Sequence, residues 1–192
     1  MKSAVYENFD VNNNLYSTEE SKDIVEFFSA INYNIGDKVL LIGDIGSFGQ
    51  KLRMLGLDVI ILDNTRYHDV CHSLVFNQNC NSIKGCLEYL PFGEDHFDKI
   101  IILNYFNHIN DINRALKELY RALKTHGEVI IEEENMKNLY VKLRALKHRV
   151  CGENIKYYYP NQILQIFNNR NFVGNLKEIK NERYIYRGTK NI

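Results

Sequence analysis

Apolar residues in this chain come in short blocks separated by mixed, helix-periodic stretches. Lys38–Ile42 and Lys99–Leu103 are nearly continuous apolar runs, the kind buried on both faces of a parallel sheet. Asp58–Asp63 repeats the pattern, and Ser82–Gly85 and Glu128–Ile131 predict two further strands. Between them, Ser47–Leu55 predicts a short helix stopped by Gly56, and Thr65–Phe76 predicts another. Ile112, Ala115, Leu116, Leu119 and Leu123 share one face of a helix capped by Asp111, with Lys124 and His126 at its end and Gly127 as its stop. Upstream, Ser17-Thr18-Glu19-Glu20 reads as a capping box before Ile24, Val25, Phe28 and Ile31 at helical spacing. Downstream, Pro160 opens a helix through Ile163, Leu164 and Phe167. Asn171–Lys180 and Arg183–Arg187 then read as an antiparallel hairpin.

Alternating strands and helices call for an α/β fold with a parallel sheet covered on both faces. Right-handed crossovers put the carboxyl ends of the first four strands on one edge, where ligands bind in such sheets. At that edge VLLIGDIGSFG, from Val39 to Gly49, breaks an apolar strand into a glycine-rich turn, and the next strand ends in Asp63. Gly43 and Gly46 let the backbone approach a ligand; a tight turn without a ligand would need them equally. Asp63 at the end of a buried strand needs hydrogen-bond partners, which two ribose hydroxyls would supply; capping the helix after it is the other reading. Asp44 reads either as a ligand to a cofactor ammonium group or as a helix N-cap.

Composition narrows the classes. The 192 residues suit one domain, and the 24 basic and 24 acidic residues cancel, so no global field favours nucleic acid or membrane. No apolar run reaches the roughly 18–20 residues of a membrane span, and the amino terminus lacks the apolar core of a signal peptide. Cys71, Cys80, Cys86 and Cys151 show no paired spacing, so the expectation is free thiols in a cytoplasmic protein, with no metal.

From Gly85 to Glu133 the chain reads GCLEYLPFGEDHFDKIIILNYFNHINDINRALKELYRALKTHGEVIIEE. Leu90-Pro91-Phe92, Phe97-Asp98, His108, Asn110-Asp111, Leu123-Lys124 and Gly127 stand there without gaps. This order resembles class I S-adenosylmethionine-dependent methyltransferases, in particular the small-molecule group typified by quinone-biosynthesis enzymes. The resemblance implies a Rossmann-like three-layer αβα sandwich with a mostly parallel seven-stranded sheet and a C-terminal antiparallel hairpin. It implies a single domain over 1–192, with a helical cap over 1–35 and a lid over 136–159. It also implies S-adenosylmethionine as cofactor and methyl transfer to a small molecule by in-line displacement. Two departures stand out: Leu41 replaces the acid that usually leads the glycine loop, and Cys86 replaces the Asp that usually meets the adenine amino group.

By the same resemblance, Asn64 borders the adenine, Cys86 and Leu87 pack on it, and Asn104 follows strand four where a backbone carbonyl meets the cofactor. Glu88 reads as solvated, and Glu132, Glu133 and Glu134 after strand five read either as a solvated loop or as supplying a substrate contact. His108 has a side chain that titrates near neutrality and is a candidate general base; a structural histidine at a helix start is the plainer reading. Over 139–150 an apolar face (Leu139, Leu143, Leu146, Val150) opposes Lys142, Arg144, Lys147 and Arg149. That segment either packs on the domain or attracts an acidic substrate or anionic surface. Two further readings of the whole chain remain beside the enzyme: a methyltransferase-like binding or regulatory protein without activity, and a nicotinamide-dependent reductase.

Overall fold

The computed structural model describes residues 27–28, 31–43, 48–63, 81–153, 155–179 and 183–191. The capping box at Ser17, the helix expected over Thr65–Phe76 and the site candidates Asp44, Gly46 and Asn64 lie outside those residues. The chain separates into two compact units, 1–32 and 33–192. In the first, Phe27 and Phe28 meet edge to face at 6.4 Å.

The second unit is built on seven strands: β1 (Lys38–Ile42), β2 (Asp58–Asp63), β3 (Asn81–Lys84), β4 (Phe97–Leu103), β5 (Leu123–Glu134), β6 (Phe172–Ile179) and β7 (Arg183–Lys190). Among the described residues its helices are α1 (Phe48–Met54), α2 (Ile112–Ala122), α3 (Leu139–Val150) and α4 (Pro160–Asn168). The strands form one sheet in the order β3-β2-β1-β4-β5-β7-β6. β1 to β5 run parallel, and β7 pairs antiparallel with both β5 and β6. This is the Rossmann-like sheet with a terminal hairpin that the resemblance implied.

β1 is central, pairing Ile42 with both Leu62 and Ile102. Side chains alternate across it. Leu40, Ile42, Ile100, Ile102, Val129 and Ile131 join α2 and α4 in one core, while Val39, Leu41, Ile61, Ile101 and Ile130 are equally buried on the other face. Burial on both faces explains why these strands read as continuous apolar runs. α2 keeps its expected cap, Asp111 accepting from the Arg114 amide at 3.1 Å, and buries Ala115, Leu116 and Leu119. Arg121 on α2 donates to the carbonyls of Phe92 at 2.7 Å and Leu90 at 3.2 Å, and Glu118 accepts from the Leu90 amide at 2.9 Å. The Leu90-Pro91-Phe92 segment is thereby tied to the helix.

Three expectations change. α2 ends at Ala122 and its C-cap Leu123 is already extended, so Lys124, His126 and Gly127 belong to β5, which meets β4 through a register shift between Phe97 and Lys99. The reason is pairing: β4 starts at Phe97, and Leu123 pairs with it. Glu132, Glu133 and Glu134 are likewise strand, opposite Ile185, Tyr184 and Arg183 of β7. Glu88 is buried, and its carboxylate accepts from the Asn110 amide at 3.0 Å.

In the hairpin, Gly174 faces Gly188, and a side chain at either would collide with the Tyr186 ring. The ring is enclosed, 4.7 Å from Phe167, and its hydroxyl has no partner among the described residues. Burial of that unpaired hydroxyl costs stability. Tyr186→Phe is therefore expected to raise the urea midpoint, by about 1 kcal/mol of unfolding free energy, at unchanged denaturant slope.

Candidate active site

The two edges of the parallel strands differ in kind. At the amino edge charges are paired: the buried Lys99 ammonium lies 3.1 Å from Glu128 and 3.5 Å from Asp37, and Glu128 also binds Arg187. Asp98 accepts from the Lys38 amide at 2.9 Å and from Lys124 at 2.8 Å. These contacts secure the sheet.

At the carboxyl edge, Gly43 follows β1 with φ +83°, and a Cβ there would overlap the Leu103 carbonyl and stand 2.9 Å from the Tyr105 Cβ. Only glycine fits, whether or not a ligand is bound. Asp63 closes β2. Its carbonyl accepts from the Gly85 amide at 3.0 Å, but no hydrogen bond or ion pair among the described residues engages its half-buried carboxylate. Cys86, a half-buried free thiol, begins the loop after β3, and its carbonyl accepts from the Tyr89 amide at 3.1 Å. Leu87 is fully buried in the core, so its side chain faces the packed interior. Asn104 ends β4 with φ +48°, exposed, its amide donating to the Glu132 carbonyl at 2.9 Å. A left-handed asparagine there turns the chain away from the sheet at low steric cost.

His108 closes a single 3-10 turn, Phe106–His108. Its ring is half-buried, and burial first, then the charge of His148, holds its pKa below the ordinary 6.5. It is neutral at pH 7 and can accept a proton. Beside it opens a cleft of about 200 Å³ lined by Cys86, Glu88, Tyr89, Tyr105, His108, Asn110, Asp111 and Arg114. The structure thus brings Cys86 and His108 together, while Gly43, Asp63 and Asn104 stand along the same edge outside that lining. Tyr89 and Arg114 had no distinguishing signal in the sequence. The Arg114 guanidinium lies 3.6 Å over the Tyr89 ring and donates to the Glu88 carbonyl at 3.2 Å, closing one wall.

The turn that carries His108 rests on Glu133. This carboxyl group is 1% exposed and accepts from the Phe106 amide at 2.6 Å and the Asn107 side-chain amide at 2.7 Å. Burial pushes its pKa up to about 8, against those hydrogen bonds and with help from Glu134 and Glu132. The triple-glutamate run was visible in the sequence, but which acid points inward follows from the strand alternation of β5.

The parallel sheet with a reversed last hairpin, a glycine turn after β1 and an acid closing β2 define a Rossmann-like α/β protein. Comparison narrows the class: residues 44–131 match the family described as a methyltransferase domain. It is 33% identical over 107 residues to the ubiquinone/menaquinone biosynthesis C-methyltransferase UbiE of Haemophilus ducreyi, covering 51% of this chain and 41% of that protein. The chain thus matches about two-fifths of the length of such curated relatives. Among solved structures it resembles an S-adenosylmethionine-dependent methyltransferase of Thermotoga maritima (TM-score 0.71, 18% identity, 89% of each chain). It also resembles phosphoethanolamine N-methyltransferase 2 of Haemonchus contortus, solved with S-adenosylmethionine (TM-score 0.69, 15% identity, 92% of this chain and 53% of that one). Among the described residues no helix is long and apolar enough to cross a membrane.

Glu133 generates a pH test. Its folded pKa, about 8, lies above the ordinary 4.5, so the folded state holds the proton more tightly. The stability it contributes is full below about pH 4.5 and is lost as pH rises through about 8. In Glu133→Gln, with the Asn107 amide turned over to donate and accept in register, urea midpoints between pH 5 and 9 are expected to lose this downward slope. Glu133→Ala should destabilise at every pH, since it leaves the Phe106 amide unpaired.

Proposed function

We propose that this chain is an S-adenosylmethionine-dependent methyltransferase acting on a small-molecule acceptor. The observation that carries the reading is the row Gly43, Asp63, Cys86 and Asn104 at or just beyond the carboxyl ends of four neighbouring parallel strands, the last three within the family match. Asp63 would hold the ribose hydroxyls with its otherwise unpartnered carboxylate. Gly43, Asp44 and Gly46 would face the methionine end, and Asn64, Cys86 and Leu87 the adenine, with Leu87 contributing main chain. Asn104 would contribute its carbonyl to the cofactor ammonium group. The cofactor supplies an electrophilic methyl group on a sulfonium.

The chain's own work is alignment, exclusion of water and proton removal. The segment 136–159 would cover the acceptor. His108, neutral at pH 7, would take the proton as the acceptor nucleophile attacks. Transfer of the methyl group to that nucleophile would leave S-adenosylhomocysteine, with the acceptor's proton held on His108. Carbon methylation, the chemistry named for the curated relatives, suits such a base, because an electron-rich ring carbon is activated when a hydroxyl on that ring loses its proton. Leu41 and Cys86 favour one second reading, a methyltransferase-like binding protein that has lost the cofactor, because a thiol accepts hydrogen bonds far less well than a carboxylate.

Calorimetric titration with S-adenosylhomocysteine separates the two. Micromolar binding, weakened about tenfold or more in Asp63→Ala, is expected for the enzyme, the worth of hydrogen bonds to one charged group. No heat at high micromolar ligand would overturn it. With an acceptor in hand, kcat/KM is expected to decline with falling pH only below the ordinary imidazole value of 6.5, and His108→Gln should remove that limb and lower kcat about 100-fold.

A further inference from the structure

α3 does not pack by its apolar face. Leu139, Leu143, Leu146 and Val150 are 70, 57, 58 and 79% exposed, and Tyr140 beside them is exposed too. At spacings of four, three and four residues they form one narrow stripe along the helix. The helix is seated by its other side, where Val141 is fully buried and His148 Nδ1 meets the Tyr157 hydroxyl at 3.5 Å. Helical geometry sets Lys142 and Arg149 along one flank of the stripe and Lys147 along the other. α3 contains no acid. Arg144 is paired with Glu134 at 2.7 Å, but Lys142, Lys147 and Arg149 have no acidic partner among the described residues. The expected packing of this face against the domain is therefore corrected: the stripe faces out.

An apolar stripe flanked by two unpaired cations on one side and one on the other selects its occupant by charge. A second copy laid on the stripe would set like charges against like. A neutral apolar partner would leave three cations unused. An anionic bilayer answers both features: leucines enter the boundary between headgroups and acyl chains, and the long cationic side chains reach the headgroups beside them. We propose that α3 is a docking helix for the surface of an anionic membrane. The helix lies in the plane of the surface and does not span it. At twelve residues it is far too short to cross.

The test is co-sedimentation of the full chain with vesicles of phosphatidylcholine alone and of phosphatidylcholine mixed equally with phosphatidylglycerol. The chain is expected to sediment with the mixed vesicles and to be released by raised salt. Leu143→Glu/Leu146→Glu and Lys142→Gln/Lys147→Gln/Arg149→Gln should each weaken partitioning about tenfold or more, with urea midpoints unchanged because all five side chains are exposed. Absence of sedimentation with the mixed vesicles would overturn the proposal. So would equal sedimentation of either variant, or a dimer in sedimentation equilibrium that Leu143→Glu/Leu146→Glu dissolves. The assay needs neither cofactor nor acceptor, so its outcome is independent of the calorimetric test of methyl transfer.

Discussion

The space just beyond β1 is filled by the Leu103 carbonyl of β4, and the carboxyl edge is shaped by that exclusion. β1 is hydrogen-bonded on both sides, in register with β2 and β4, so it cannot shift to relieve the crowding. The chain must turn at Gly43 with a positive φ and without a side chain. Asp63 stands at the end of β2, one strand away on the other side. A steric rule inside the sheet thus fixes the backbone at the end of β1.

Charge is divided along the same axis. The amino edge neutralises its ions among themselves, with Lys99, Glu128, Asp37 and Arg187 in one network and Asp98 clamped by Lys124. The carboxyl edge keeps Asp63 without a partner among the described residues and buries Glu133 beneath the turn that presents His108. Perturbed titrating groups beside a cleft mark a site more strongly than paired ions do. Glu133 works through the turn, by holding the Phe106 amide and the Asn107 side chain.

Much of the fold was legible because local and global demands agree. β1, β2 and β4 are buried on both faces, so their sequences are continuous apolar runs, and Asp111 announces α2 by its capping chemistry. Legibility failed where a partner strand decides. The segment from Leu123 to Gly127 has helix-end residues, yet Phe97 of β4 draws Leu123 into the ladder. Glu132–Glu134 read as a polar loop, yet β7 lies alongside and extends the strand through them. The candidate site was legible in part. Cys86 and His108 share the cleft, whereas Tyr89 and Arg114 enter it only because Arg114 stacks on the tyrosine from a different element.

The sequence by itself determined the strand and helix order, the glycine turn, the acid after β2 and the amphipathic character of 139–150. All are local patterns, set by the periodicity of burial and by backbone sterics. Tertiary structure alone decided which side of α3 is buried, which of three adjacent glutamates loses its water, and which loop residues meet around His108. Those outcomes depend on contacts between segments far apart in the chain. A helical period or a run of like residues says that one side differs from another, but what stands opposite each side is fixed by the packing of the other elements.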